Sequence, residues 1–449
     1  MNLKTDIGIT NQVNHNLTDG AHQLQFDLSY QDAALGLAIV TVPAVIVNAI
    51  YHEASLSQTG YAQAFGFHKG QVPVQYIAQN FKANLIEHLK EFLFKYFILD
   101  FMYEQIRERK LLVVGEPRLV AMHVEPESDA RFQFELSICP EVTIQEWKYL
   151  PFKSPKRKNY KDLDRQVESF IEEEKGFLKD AQLTTLGVGD WVSFDVYLVD
   201  KQDNSLLGSH KTSLWLRLGD EEADSTFHEI FLDKSLGDSF ITASKSLQDY
   251  FSDQIDTNYT FAVHITDVLK NSFFCLEQFK RHFKLKTNKE LYQRLIEVFS
   301  YRNDISLRRS IAEESLKLLL SKHRFIIPNY LVLRQQKVIL DKVKHNPDYH
   351  VYRTQKDFQE RIRQLAEKQV RETIFLDQLA YHEDLEAENA DIKGYLNLTN
   401  RQRMKDFLYF DAPNTKVGGQ EIPLLSQELK RIYLREKSIN HIIYHLTKK

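Results

Sequence analysis

The sequence predicts an α+β multidomain protein: a mixed α+β domain at the N-terminus, a small antiparallel β domain in the middle and an all-α block at the C-terminus. Three observations predict it. The chain is 449 residues long, enough for two to four domains, each with its own core. It holds only 16 glycines and 11 prolines, a scarcity that argues against an all-β protein full of tight turns and favours long helices. The hydrophobic period also changes along the chain, from a mixed pattern, to two-residue alternation, to a sustained helical repeat after Leu276.

Charge marks the same divisions. The formal net charge of −4 conceals blocks of −6 over residues 1–145, +5 over 146–161, −13 over 162–272 and +10 over 273–449. Composition shifts of this size accompany domain boundaries. They divide the chain into 1–145, a basic linker and helix at 146–182, 183–270 and 271–449. Most of the basic peak is Lys153-Ser154-Pro155-Lys156-Arg157-Lys158.

In order, Gln23–Tyr30 reads as a strand, because Leu24, Phe26 and Leu28 alternate with polar residues. Leu35–Val42 is a second strand, and Pro43 opens a helix through about Ser57. The apolar stretch Ala33–Ile50 is therefore read as strand and helix, since Thr41, Pro43 and Asn48 interrupt any membrane span. After Pro73, the recurrence of Ile77, Phe81, Leu85, Leu89, Phe92 and Tyr96 writes a long amphipathic helix. Strands Arg118–Glu125 and Arg131–Cys139 close the first domain. A helix near Asp162–Leu178 precedes strands at Trp191–Val199, Ser213–Leu218, Ser239–Thr242 and Thr260–Leu269. Helices then fill Lys289–His323, Asn329–His345, Gln355–Leu385 and Ser426–Leu446, with glycines and prolines at their joints.

The N-terminus lacks a basic region followed by an apolar run, so no signal peptide is expected. Two cysteines, Cys139 and Cys275, cannot staple a chain of this size, which points to a reduced, cytoplasmic compartment. No phosphate-cradling GxxxxGK[ST], no GxSxG, no GxGxxG and no complete HExxH is present, although His52-Glu53 and His228-Glu229 begin the last. The 16 histidines do not converge on a metal. The residues alone imply a helix-rich protein with an interaction role and no metal, nucleotide or other cofactor.

One segment is more specific. In Gly66-Phe67-His68-Lys69-Gly70-Gln71-Val72-Pro73, two glycines permit tight turns around an apolar ring and a basic pair. An exposed Phe beside Lys suits docking onto a mixed RNA and protein surface, and a surface loop with Phe67 tucked inward is the alternative. The segment resembles the signature of the bacterial trigger factor family, Gly-Phe-Arg-Lys-Gly-x-x-Pro. Similarity extends through Val42-Pro43, Gly115-Glu116-Pro117, Glu141-Val142 and the run Arg324–Val332 followed by Arg334-Gln335.

The resemblance implies a ribosome-associated chaperone acting without nucleotide. Its ribosome-binding domain docks at the large subunit beside the tunnel exit through Phe67, His68 and Lys69, and it holds nascent and unfolded polypeptides. It implies no membrane partner and allows a homodimer away from the ribosome. His68 departs from the usual Arg, and a neutral imidazole cannot make the guanidinium's bidentate fork to phosphate. Residues 183–270 resemble an FK506-binding-protein type prolyl isomerase domain. Phe227, Tyr250 and Phe261 are its implied pocket aromatics, with Asp195 as their polar neighbour. Val196 and Leu207 stand where rings are usual, and Asp224-Ser225-Thr226 replaces Ile-Pro-Gly, so weak or lost activity is expected. The C-terminal block corresponds to the family's helical body with two arms. A dedicated prolyl isomerase and a non-ribosomal helical scaffold are the rival readings.

Overall fold

The computed structural model describes residues 23–31, 34–139, 142–156, 162–180, 184–219 and 226–448, without the side chains of 178–180. Ala33, Glu141, Arg157, Lys158, Asp224 and Ser225 lie outside the described residues.

The N-terminal unit contains β1 (Gln25–Tyr30), β2 (Leu35–Val42), α1 (Ala44–Gln58), α2 (Val74–Asn80), α3 (Lys82–Leu93), α4 (Leu99–Glu108), β3 (Arg118–His123) and β4 (Ala130–Ser137). Its antiparallel sheet runs β1-β2-β4-β3. Two-residue alternation puts Ala38, Val40 and Val42 opposite Phe134, Phe132 and Ala130 on one buried face. The chain leaves β2 at Pro43, and the Asp129 carboxylate, from the turn before β4, accepts the Ala44 N–H at 2.9 Å where α1 begins. The single long helix expected after Pro73 is instead broken at Phe81, and a π-helical turn, Phe94–Ile98, joins α3 to α4. Phe94 in that turn stacks on Phe134 of its own sheet, with centroids 6.2 Å apart. The adjoining Tyr96 and Phe97 turn toward another unit. A π turn makes that possible by adding a residue and shifting the helical register.

After α5 (Leu163–Asp180) comes a sheet unit of β5 (Trp191–Val199), β6 (Thr212–Arg217), α6 (His228–Phe231), β7 (Ser239–Thr242), α7 (Lys245–Phe251) and β8 (Thr260–Leu269). The C-terminal block follows: α8 (Leu276–His282), α9 (Asn288–Phe299), β9 (Tyr301–Arg302), β10 (Ile305–Ser306), α10 (Leu307–Lys322), α11 (Asn329–Lys344), α12 (Tyr349–Tyr352), α13 (Phe358–His382), α14 (Asn389–Thr399), β11 (Lys416–Val417), β12 (Gln420–Glu421), β13 (Leu424–Leu425) and α15 (Ser426–Thr447). It is helical apart from these short strands. The stretch expected to be helical over 289–323 is interrupted by the β9–β10 hairpin, whose turn residues Asn303 and Asp304 both have positive φ.

The middle sheet has the order β13-β6-β5-β8-β7, so the C-terminal block supplies one edge strand, with Leu424 opposite Trp215 and Leu425 opposite Leu214. Both faces of this sheet are covered. Val192, Phe194, Val196 and Leu198 belong to a buried cluster continuous with the N-terminal unit. Trp191, Trp215 and Leu269 are buried with α5 and the helical block. Within that block, the Glu174 carboxylate, 4% exposed, takes two hydrogen bonds from the Arg401 guanidinium, at 2.6 and 3.1 Å, fastening α5 to the turn after α14. The distal parts of α11 and α13 bury Val332, Ile339, Phe358, Ile362 and Ala366 in a small core of their own, forming an arm. Trp147 pins the segment after the N-terminal unit to the body: it is buried against His441 and His445 and donates to Glu383 at 3.1 Å. No helix among the described residues is long and apolar enough to cross a membrane.

Candidate functional site

The loop between α1 and α2 carries the signature residues. Gly66 and Gly70 have φ of +90° and +81°, values that a side chain would strain, and the space that a Cβ would occupy at either is open to 4 Å. Glycine is therefore demanded by backbone conformation and not by crowding. Between them the Phe67 N–H donates to Ala64 O at 3.1 Å and the Gln71 N–H to His68 O at 3.0 Å, closing two turns. His68 and Lys69 are exposed. Phe67 takes an intermediate course: its ring lies 5.1 Å from that of Tyr76 on α2 and is 40% exposed. The adjacent Phe65, which lies outside the signature and carries no mark of its own in the sequence, is fully exposed. Below the loop, Tyr61 Oη donates to Asn258 Oδ1 at 2.7 Å, Ser57 Oγ accepts the Asn258 N–H at 3.2 Å, and Gln58 donates to Asp256 O. The loop thus stands on a base shared with the middle sheet unit.

The residues assigned to an isomerase pocket are placed differently from one another. Phe261, fully buried, packs with Phe251 at 5.6 Å and Tyr259 at 6.3 Å. Phe227 is buried in the same cluster. Tyr250 lies edge-on to Phe251 at 5.1 Å, with the Lys95 ammonium 5.9 Å from its ring centre. Asp195 is not brought together with these rings. Phe261 pairs with Leu198, and the alternation along β5 sends Leu198 and Asp195 to opposite faces. Asp195 is held there by the Lys211 ammonium and the Ser213 hydroxyl, each at 2.6 Å. Val196 and Leu207, which replace the usual rings, are fully buried.

The aromatic face is closed by the N-terminal unit. Phe92 lies 5.6 Å from Phe251 and 5.2 Å from Tyr259, and Tyr96 lies 5.2 Å from Phe251. Tyr96 Oη donates toward Val196 O at 3.1 Å and His210 O at 3.3 Å, and accepts the Leu198 N–H at 3.2 Å. It lies on the β6 side of β5 just past the Val196–Thr212 pair, where β6 begins, while Leu198 stays paired with Phe261 of β8 on the other side. Nearby, His88 Nε2 and Tyr259 Oη share a buried 2.7 Å hydrogen bond. Burial lowers the His88 pKa to about 4, against the opposing charge of Glu91, so the imidazole is neutral. A cavity of about 360 Å³ opens between Phe26, Phe97, Phe101 and Lys211, and Phe227, Tyr250 and Phe261 are not among its lining residues. Burial pushes the Asp100 carboxyl on its wall up to about 7.

Tyr96 is legible in the sequence only as one more member of an apolar stripe; nothing in the stripe announces a hydroxyl with partners about a hundred residues away. Comparison with known proteins bears on both regions. A family model described as bacterial trigger factor protein matches residues 31–173, and one described as its C-terminus matches residues 279–406. A trigger factor of Rickettsia prowazekii is 24% identical over 436 residues, covering 90% of each chain. That of Rhodopirellula baltica is 24% identical over 393 residues, covering 82% of this chain and 79% of the relative. A solved structure of the trigger factor chaperone aligns over 94% of this chain and 100% of its own, at 13% identity and a TM-score of 0.37. With the two family models together spanning more than half of its length, this chain belongs to the bacterial trigger factor family of chaperones.

Proposed function

We propose that the chain docks on the large ribosomal subunit beside the tunnel exit through the α1–α2 loop and there holds nascent chains without using nucleotide. The observation that carries this reading is the exposed presentation of Phe67, His68 and Lys69 between two glycines of positive φ, on a family member's N-terminal unit. Lys69 supplies a cation for RNA phosphate, and Phe67 supplies an apolar edge. Extended clients have apolar surface to meet on the arm, where Leu333, Val338, Val351 and Leu365 are exposed. Burial of such surface is worth roughly 25 cal/mol per Å² and needs no energy source.

Isomerase activity is weak or lost in this reading. Its support is the close packing around Phe261, the position of Asp195 on the other face, and the covering of the aromatic cluster by Phe92 and Tyr96. The test is cosedimentation with ribosomes across a salt series. Lys69→Glu should lower binding strongly and flatten its salt dependence, with the thermal transition unchanged. Equal pelleting of wild type and the Phe67→Ala, Lys69→Glu double variant would refute the docking.

A further inference from the structure

We infer that Phe65, the residue before the signature, is the principal apolar anchor of the docking loop, and that its partner is an apolar depression on a protein of the large subunit beside RNA phosphate. The inference rests on the docking reading above and adds to it a residue that the signature does not contain. Single exposed apolar side chains are ordinary on protein surfaces. Phe65 differs by its degree and its place. At 102% relative exposure it is the most exposed of the large apolar side chains among the described residues. Phe67, the aromatic that the signature singles out, has already spent part of its surface on Tyr76 and is 40% exposed. Whatever apolar area the loop gains on docking therefore comes mainly from Phe65.

The backbone explains how two neighbouring rings have such different fates. Gly66 lies between them at φ +90°, so the chain reverses there, leaving one ring against α2 and the other in solvent. Along the loop the chemistry is also sorted. Tyr61, Phe65 and Phe67 precede His68 and Lys69, and no carboxylate interrupts residues 60–73. An apolar half beside a cationic half complements a protein surface bordered by phosphate. A fully solvated aromatic ring that becomes buried in a partner's pocket is also the usual form of an interface hot spot.

The test uses full-length protein and purified ribosomes, with four variants. Phe65→Ala should weaken binding about tenfold, because an anchoring aromatic is lost, and should leave the salt slope unchanged. Phe67→Ala should weaken it less. Lys69→Glu should lower both affinity and slope. Phe65 makes no buried contact, so the Phe65→Ala thermal transition should match wild type. A photo-crosslinking p-benzoylphenylalanine in place of Phe65 should label a large-subunit protein. Full affinity in Phe65→Ala together with lost affinity in Lys69→Glu overturns the Phe65 inference and leaves the docking reading standing. Full affinity in all variants overturns both. Crosslinking to ribosomal RNA alone would show base stacking and overturn the protein-pocket assignment.

Discussion

Tyr96→Phe is the sharpest test of how the N-terminal and middle units are joined. The substitution keeps the ring, which stacks 5.3 Å from Phe92 and packs 5.2 Å from Phe251, and removes only the hydroxyl. The Leu198 N–H then loses its 3.2 Å acceptor, and Val196 O and His210 O lose the one hydroxyl proton that they share, at a site where Tyr96 is 1% exposed. A buried polar group left without its partner costs about 1–3 kcal/mol. Converted at 1.4 kcal/mol per decade, that is roughly a five- to 150-fold rise in the local opening constant. Native-state hydrogen exchange reads it directly: the Leu198 amide should exchange faster by that factor, while amides of the β2–β4 ladder stay as they are. Tyr96→Ala, which also removes the ring, should cost about 3–5 kcal/mol and lower the urea midpoint. If Tyr96→Phe leaves both Leu198 exchange and the urea midpoint at wild-type values, the hydroxyl does not join the two units.

Val196→Phe adds volume where exposure is zero, so it should destabilise by about 1–3 kcal/mol in a urea titration and not raise turnover on a proline peptide, whereas a gain in turnover would restore the view of a decayed but open pocket. Deleting residues 183–270 removes the partners of Phe92, Tyr96 and β13 together, so the shortened protein should aggregate on its own in light scattering; a monomeric, cooperative fold would contradict the shared core. Burial raises the Glu436 carboxyl to about 7 in the fold against an ordinary value near 4.5, so between these pH values the native state binds a proton that the unfolded state lacks, and stability falls as pH rises from about 4.5 to about 7 and levels off above. Glu436→Gln, which keeps an acceptor for the Tyr409 and Phe410 N–H groups, should flatten the part of the stability profile between about pH 4.5 and 7, and an unchanged slope there would exclude Glu436 as its source. His68→Arg should tighten ribosome binding by restoring a bidentate phosphate donor, which equal affinities in a salt series would disprove.

How much of this is readable in the sequence depends on the range of the signal. β2 and β4 show their alternation locally, and Pro43 marks the start of α1, so the N-terminal sheet and its first helix fall where periodicity puts them. The break at Phe81 and the π turn at Phe94–Ile98 carry no glycine or proline, and an apolar stripe continues through both. The β9–β10 hairpin does carry a signal, the Asn303-Asp304 pair, overshadowed by strong helical periodicity on either side. β13 is two leucines long, and its pairing with β6 spans about two hundred residues, which no local pattern encodes. The candidate site divides the same way. The loop's glycines announce their positive φ, whereas the exposure of Phe65 and the covering of Phe261 depend on what packs nearby.

That division bears on what the middle unit does. An isomerase needs one face of its sheet open to a peptide, so that an X–Pro bond can enter an apolar pocket. Here β5 is nearly continuously buried, the burial pattern of a strand covered on both faces, with Trp191 and Trp215 on one side and Phe194 and Val196 on the other. One edge of the sheet is also engaged, since β13 pairs with β6. Opening the aromatic face would require breaking the Tyr96 hydrogen bonds and separating Phe92 from Phe251 and Tyr259, at a cost set by the same groups that the Tyr96 variants probe. The α1–α2 loop stands on Asn258 and Asp256, reached by Tyr61 and Gln58. On the docking reading proposed above, a sheet covered in this way acts as a strut, fixing the orientation of the α1–α2 loop relative to the arm and so the direction in which the client surface is presented.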